Sequence, residues 1–151
     1  MTQFLGTHVF RLDAKGRLSI PARFRAALER VGTDELVLRP SHLMACIECW
    51  PLPAFENLAS GVTRLNAFSE EADDLSAVLF SQSQNVRPDA EGRLVLPRAL
   101  AQHAGLGEEV ALVGSGAMFQ IWQPDAASRR AEEAMRRARE RGLTLPPRGG
   151  A

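Results

Sequence analysis

The chain has 151 residues, of which 45% are hydrophobic and 24% are charged, a composition that excludes an intrinsically disordered or fibrous protein. Its 18 basic and 18 acidic side chains give a net charge of zero, which argues against a uniformly basic nucleic-acid-binding protein. No apolar run reaches the length of about 20 residues that a membrane-spanning helix needs, and the N-terminus lacks the pattern of a signal peptide, so we expect a cytoplasmic protein with no membrane partner.

The first half of the chain predicts a small α+β unit. A strand over residues 7–12 leads into the turn DAKG and then into a second strand over 17–20, and this order predicts a hairpin. Gly16 can adopt the positive φ that a tight turn needs. A helix is predicted from Pro21, which suits the first helical position, and it ends near Gly32. Two more strands follow, over residues 35–38 and 44–50.

The segment over residues 54–81 predicts a helical linker. Phe55, Leu58, Val62 and Leu65 fall on one face of a helix with 3.6 residues per turn. Residues 55–80 carry one basic and five acidic side chains, so the linker is the acidic part of the chain.

The second half repeats the first. RPDAEGRLVLP, which starts at Arg87, aligns with RLDAKGRLSIP, which starts at Arg11, and seven of the eleven positions are identical. A second block, FQIWQP, echoes the earlier CIECWP. Two blocks in the same order indicate an internal duplication, so the same turn is predicted at Gly92 and the same helix from Pro97. Its strands are predicted over residues 84–87, 93–96, 110–113 and 118–122, with a hairpin between the last two at Ser115 and Gly116.

The tail is predicted to be a solvated helix. Residues 127–151 carry seven basic and three acidic side chains with almost no apolar stripe, and residues 145–151 are expected to be disordered. The resulting organisation has two repeats and two connecting or terminal segments: residues 5–53, 54–81, 82–126 and 127–151.

The repeated Asp-x-x-Gly turn is the main signal in the sequence. Asp13 and Asp89 can accept hydrogen bonds from backbone N–H groups two or three residues further on, which is the usual role of aspartate in a turn, and each can also pair with the arginine four residues later. We therefore assign Asp13, Gly16, Asp89 and Gly92 to the structure of the two turns.

The cations of the first turn point to a possible anionic partner. Lys15 and Arg17 lie at the tip of the predicted hairpin, with Arg11 on the incoming strand. A two-stranded ribbon fits the major groove of DNA, where arginine binds guanine, and both cation types neutralise phosphates. The alternative is a solvated charged turn without a partner.

The second turn is a weaker candidate for the same role. Glu91 stands where the first turn has Lys15, and a carboxylate there would be repelled by phosphate. Arg87 and Arg93 remain as cations, so this turn is expected either to bind more weakly or to act as a scaffold.

Two other residue pairs favour structural roles. Cys46 and Cys49 have the spacing of half a metal site, but there is no second cysteine pair and the three histidines lack ligand spacing. We interpret both cysteines as buried, and the recurring Trp50 and Trp122 as core residues. No catalytic motif is present, so we expect no enzyme activity, no metal and no cofactor.

The blocks FLGTH, LDAKGRLSIPARFR, DAEGRLVLP, HAGL, EVALVG and FQIW occur in an order that resembles the MraZ family of bacterial transcriptional regulators. The resemblance covers residues 1–126. It implies a mainly β, α+β fold of the AbrB/MazE swapped-hairpin group, in which two tandem units interleave into a double-split β-barrel.

The resemblance also implies a function. Family members assemble into rings of eight or more copies, bind upstream direct repeats in double-stranded DNA, and repress their own division and cell-wall gene cluster on the nucleoid. The family's D-x-x-x-R signature implies DNA-facing roles for Asp13, Lys15 and Arg17 in the first turn, and for Asp89 and Arg93 in the second.

Two other functions stay open. One is an AbrB-like or antitoxin-like regulator with the same fold and other targets. The other is an interaction module that binds no DNA and tethers a neighbouring enzyme, for which the net charge of zero is the best support.

Overall fold

The computed structural model describes residues 3–147 and contains, within that range, eight β-strands and five α-helices. The strands are β1 (Thr7–Arg11), β2 (Arg17–Ser19), β3 (Leu36–Pro40), β4 (Ile47–Pro51), β5 (Gln84–Val86), β6 (Arg93–Val95), β7 (Glu109–Gly114) and β8 (Phe119–Trp122). The helices are α1 (Ala22–Val31), α2 (Leu52–Ala59), α3 (Glu70–Ser76), α4 (Arg98–His103) and α5 (Pro124–Glu140). The predicted α+β class, with antiparallel strands and short helices, is confirmed.

The strands form two sheets, and each sheet mixes the two repeats. Six strands pair in the order β1-β7-β8-β4-β3-β5, while β2 and β6 form a separate two-stranded ribbon. All pairs are antiparallel. The first repeat lends β1 to β7 of the second repeat, and the second lends β5 to β3 of the first. The interleaving that the family resemblance implies is therefore confirmed. The repeat boundaries remain a prediction, because the two repeats share one sheet.

The prediction that the two strands flanking each Asp-x-x-Gly turn form a hairpin is wrong, whereas the predicted hairpin at Ser115 and Gly116 is present between β7 and β8. The strands on either side of the first turn do not pair with each other beyond the turn, because β1 pairs with β7 and β2 pairs with β6. A strand whose residues are alternately apolar and polar can pair with any antiparallel strand. The pairing that forms is the one that buries the apolar side chains of both strands. Pairing β2 with β6 places Leu18 opposite Leu94, and both side chains are fully buried.

The pairing has a pseudo-twofold arrangement. Leu18 and Leu94, which face each other in the ribbon, are equivalent positions of the two repeats. Glu48 and Gln120 face each other where β4 meets β8, and they are equivalent as well. The two repeats are thus related by an approximate twofold axis through the ribbon and the centre of the sheet.

One apolar cluster holds the ribbon, α1, α4 and the six-stranded sheet together. Phe4, Phe24 and Phe119 meet within it, with ring centroids 5.0 to 5.3 Å apart. Leu18 and Leu94 of the ribbon point into this cluster, so the opposite face of the ribbon faces away from the core. Burial of the core thereby fixes which face of the ribbon is presented to a partner.

The helix ends follow the predicted signals with a shift of one residue. Pro21 and Pro97 are N-cap residues with ψ of 146° and 135°, so each helix begins one position after its proline. Gly32 ends α1 with a φ of 84°, a left-handed conformation that favours glycine.

The linker is helical, as predicted, but it is divided into short segments. A 3-10 turn, Ser60–Arg64, follows α2, and a π-helical turn, Ala77–Ser81, follows α3. The buried Arg39 of β3 donates to the carbonyl oxygen of Val78 over 3.1 Å and to Glu48 over 2.6 Å. The bond to Val78 attaches the linker to the sheet, and the bond to Glu48 joins β3 to β4.

The predicted helix of the tail is present as α5. The side chain of Gln123 accepts a hydrogen bond from the backbone N–H of Ala126 over 2.7 Å and caps the helix. Residues 143–147 have no regular structure, and 148–151, the rest of the segment predicted to be disordered, lie outside the described residues. Within residues 3–147 no helix is both long and apolar enough to cross a membrane.

The cysteines are buried, as predicted. Cys46 packs beside Trp122, whereas Cys49 packs in the main core, so the two thiols lie on opposite faces of the sheet. Burial raises the pKa of the Cys46 thiol to about 12. Trp122 is buried as predicted, but Trp50 is only half-buried, and its indole N–H donates to Glu48 over 3.0 Å. No cluster of three metal-ligating side chains is found among the described residues.

Candidate nucleic-acid interface

The first turn is built around the carboxylate of Asp13. One carboxylate oxygen accepts hydrogen bonds from the backbone N–H groups of Lys15 and Arg17 over 2.9 and 2.8 Å. The other accepts from Nε of Arg17 over 2.6 Å. The N–H of Gly16 donates to the Asp13 carbonyl over 2.9 Å, and Gly16 has a φ of 72°. This arrangement, here called the Asp–Arg clamp, fixes both the turn and its arginine.

The clamp requires an ionised carboxylate. The hydrogen bond from the backbone N–H of Arg17 is the largest cause that holds the pKa of Asp13 below its ordinary value. The Arg17 side chain and the backbone N–H of Lys15 act in the same direction. At neutral pH the turn therefore contains a carboxylate in permanent contact with Arg17.

The second turn has the same clamp. Asp89 accepts from the backbone N–H groups of Glu91 and Arg93 and from Nε of Arg93, each over 2.9 Å. Gly92 has a φ of 75°. The side-chain hydrogen bond to Asp89 raises the pKa of Arg93. The backbone N–H of Arg93 is the largest cause that lowers the pKa of Asp89, and the Arg93 side chain acts in the same direction. The backbone chemistry of the two turns is thus the same.

The charge of the two turns differs. Lys15 is exposed, and among residues 3–147 it makes no ion pair. At the equivalent position Glu91 accepts a hydrogen bond from Nη2 of Arg93 over 2.8 Å. Arg93 is therefore held by two carboxylates, whereas Arg17 pairs with Asp13 alone among the residues that the structure describes. The first turn keeps free positive charge that the second turn has neutralised internally.

The strand arginines form ion pairs across the two repeats. Nη1 of Arg11 lies 3.8 Å from Glu108, and Nη1 of Arg87 lies 2.8 Å from Asp34. Nη2 of Arg87 is also 3.6 Å from Glu35. Both arginines are more than half exposed, and exposed pairs contribute only about 0 to 1 kcal/mol. Either arginine can exchange its carboxylate for a phosphate at little cost.

The ribbon places the two clamps on one outer face. Leu18 and Leu94 point into the core, so the alternating residues beside them point outward. Arg17 lies opposite Val95, and Arg93 lies opposite Ser19. Because the strands are antiparallel, the two turns lie at opposite ends of the ribbon, and the two arginines are offset by about 7 Å along it.

Sequence reasoning missed one cation beside this surface. Arg25 of α1 packs over the glycine of the second turn, where a Cβ on Gly92 would lie 2.7 Å from the Arg25 Cδ. The contact joins residues of different repeats, so no local pattern indicates it. The only signal in the sequence is that Ala101 occupies the equivalent position in the second repeat.

This architecture defines the class of protein. Two copies of one α+β unit, folded as a single interleaved body with paired Asp–Arg clamps, belong to the swapped-repeat class of small β-rich folds. A family model described as "MraZ protein, putative antitoxin-like" matches residues 3–77 and 79–142. The chain belongs to the MraZ family of transcriptional regulators.

Curated relatives with the same family name match the chain over most of their length. The chain is similar to the transcriptional regulator MraZ of Gluconacetobacter diazotrophicus, with 51% identity over 99% of this chain and 95% of the relative. The protein of that name from Gluconobacter oxydans is 49% identical over 97% of this chain and 92% of the relative. The protein of that name from Rickettsia canadensis is 36% identical over 96% and 97%.

Proposed function

We propose that the protein is a sequence-specific DNA-binding regulator that reads double-stranded DNA mainly through its first turn. The observation that carries this proposal is the charge of that turn. Lys15 and Arg17 lie at one end of an exposed ribbon, and only one carboxylate, Asp13, is among them. A two-stranded ribbon of this kind fits the major groove.

The Asp–Arg clamp gives Arg17 a defined geometry for this role. Asp13 binds Nε, which leaves the two Nη groups of the guanidinium for a base edge or a phosphate. Holding a side chain in its binding geometry reduces the entropy lost on association. Lys15 and Arg11 add charge that neutralises phosphate oxygens.

In this proposal the second turn is an auxiliary contact. Arg93 is shared between Asp89 and Glu91, and Arg87 is paired with Asp34. The contribution of Arg87 and Arg93 to DNA binding is accordingly smaller than that of the first turn.

A single turn presents too few groups for tight specific binding, so the proposal includes an oligomer. Several copies in a ring of eight or more would engage a series of direct repeats together, which increases avidity without any new contact. The expected target is the region upstream of the protein's own division and cell-wall gene cluster, which it would repress on the nucleoid.

The second candidate is a module that binds a protein partner instead of DNA. The observation that favours it is the net charge of zero. A third possibility is an AbrB-like or antitoxin-like regulator, which would bind DNA in the same way but at other genes. A salt titration of binding separates DNA binding from the protein-binding module, because several phosphate contacts require a steep loss of affinity with salt.

The proposal is tested by footprinting the purified protein on its own upstream DNA, together with Arg17→Ala, Arg17→Lys and the linker control Arg64→Ala. We expect protected boxes spaced near one helical turn. We expect affinity to fall about tenfold or more in Arg17→Ala, because a bidentate arginine contact contributes about 1 to 3 kcal/mol.

The control variant should bind normally, and Arg17→Lys should retain part of the affinity because it keeps the charge but loses the planar fork. The elution volume on size exclusion should not change in any variant. Normal binding by Arg17→Ala would remove the first turn as the reader.

A further inference from the structure

The glycines of the two turns have different surroundings. Gly92 is buried, and a Cβ built on it would lie 2.7 Å from Cδ of Arg25 and 3.4 Å from its Nε and Nη1. A Cβ built on Gly16 would meet nothing within 4 Å. The guanidinium of Arg25 therefore lies directly against the second turn, and the first turn has no such cover.

The difference follows from the strand exchange. Helix α1 belongs to the first repeat, yet the pairing of β2 with β6 brings it beside the turn of the second repeat, where the N–H of Ile20 donates to the Gly92 carbonyl over 2.9 Å. The equivalent residue of α4 is Ala101, which carries no charge to the first turn. The turn of the second repeat is thus covered by a helix of the first repeat, and that helix brings a cation to it.

The two turns carry their charged residues at different positions. The first turn has Lys15 at its tip and Ala101 as the residue equivalent to Arg25, whereas the second has Glu91 at its tip and Arg25 beside it. Arg25 is exposed, and within the part of the chain that the structure describes it forms no ion pair. Its charge is not used inside the protein.

We propose that Arg25 is a DNA-phosphate-binding residue of the second turn, supplied across the repeat boundary in place of the lysine that this turn lacks. The inference rests on the proposed DNA-binding function and extends it to a residue outside the repeated turn motif. The second turn contains Arg87 and Arg93 against Asp89 and Glu91, and Arg25 changes this balance from zero to +1. The ligand is the phosphate backbone of double-stranded DNA.

The glycine is part of this arrangement. The stem of Arg25 lies so close to Gly92 that any larger residue would displace it, and the φ of 75° disfavours a larger residue independently. At Gly16 only the second of these restrictions applies, since the space around it is open. Gly92→Ala therefore moves the cation, whereas Gly16→Ala strains the backbone alone.

The test is fluorescence anisotropy on the upstream duplex across a salt series, with Arg25→Ala, Arg25→Lys and the matched control Arg23→Ala. Arg23 is an exposed arginine of the same helix, two residues away and so about 200° around it. For Arg25→Ala we expect a smaller loss of affinity than for Arg17→Ala, and a salt slope that is shallower by about 0.9 per lost contact. Arg25→Lys and Arg23→Ala should stay close to the wild type in both measurements.

A rescue separates binding from a merely structural role. Glu91→Lys is introduced into both the wild type and Arg25→Ala. It returns a cation to the same turn, so it should raise affinity and salt slope more in Arg25→Ala than in the wild type, whereas equal gains would show that Arg25 only supports the fold. Thermal unfolding of each variant reports folding directly.

The proposal about Arg25 is overturned if Arg25→Ala binds like the wild type while Arg17→Ala has lost binding. It is also overturned if Arg23→Ala is equally impaired, or if Glu91→Lys raises affinity no more in a folded Arg25→Ala protein than in the wild type. If Arg17→Ala and Arg25→Ala both bind normally, the proposed DNA-binding surface itself is wrong.

Discussion

The two halves of the molecule share a backbone framework and differ in where they carry charge. Both turns have the same Asp–Arg clamp, with three hydrogen bonds to the carboxylate at closely similar distances. The tip of the first turn is Lys15 and that of the second is Glu91. The comparison teaches that one backbone framework can carry different charges at its two turns.

The same distinction appears inside the sheet. Glu48 and Gln120 face each other, and each accepts a hydrogen bond from the indole N–H of a tryptophan, over 3.0 and 2.8 Å. Glu48 also accepts from Arg39, which lies opposite it, over 2.6 Å, whereas the residue opposite Gln120 is Val113. A largely buried carboxylate is therefore present only where a buried guanidinium pairs with it.

The largest expected effect comes from breaking this buried pair. We expect Arg39→Val to lower the free energy of unfolding by about 3 to 5 kcal/mol, because Glu48 is left buried without its partner. Arg39→Val combined with Glu48→Gln makes the first half resemble the second and should recover much of that loss. Urea unfolding of the two single variants and the double variant measures the coupling. Additive losses would show that the pair is not coupled.

The next effect is on the charge of the two turns. Lys15→Glu should weaken DNA binding about tenfold or more, since it removes a phosphate contact and adds repulsion. Glu91→Lys should strengthen binding, because it adds a cation and releases Arg93 from one of its two carboxylates. Binding isotherms at fixed salt test both changes. Equal losses in the two variants would mean that the turns are equivalent and the asymmetry has no functional role.

The smallest expected effect is on the pH dependence of stability, and it comes from the Asp–Arg clamp that both turns share. Asp13 and Asp89 both have a pKa below the ordinary value of 3.8, chiefly because the backbone N–H groups of Arg17 and Arg93 donate to them. A carboxyl group with a lowered pKa in the folded state stabilises the fold above its unfolded pKa, and this stabilisation is lost as the pH falls through the folded pKa. Both turns should therefore lose stability together below pH 3.8.

Urea midpoints at about pH 6 and about pH 3 measure this loss. Asp13→Asn and Asp89→Asn should each show a smaller decline than the wild type. A decline as steep as that of the wild type in both variants would show that other carboxyl groups are responsible.

Much of the candidate site was accessible from the sequence because its chemistry is local. The turn residues Asp13 and Gly16, the repeat at an offset of 76 residues, and the exchange of Lys15 for Glu91 are all visible in the printed chain. A turn forms from the hydrogen-bonding capacity and φ preference of a few consecutive residues, so a short motif is enough to predict it. Helices and strands likewise followed from periodicity, to within a few residues.

Strand partners depended on tertiary structure. The same alternating pattern is compatible with a hairpin inside each repeat and with exchange between repeats, and only the burial of a shared core selects the exchange. That exchange brings Arg39 to the linker, pairs Arg87 with Asp34, and places Arg25 against Gly92. Each of these contacts joins residues that are far apart in the chain.

The repeated turn, its clamp and its cations were determined by the sequence itself, since each depends on residues within a span of five positions. Which turn receives a second cation was decided only by the tertiary structure, because Arg25 reaches Gly92 through strands exchanged between the repeats. The physical reason is the difference in range: hydrogen bonds within a turn act between neighbours in the chain, whereas burial of apolar surface acts between whichever segments pack together.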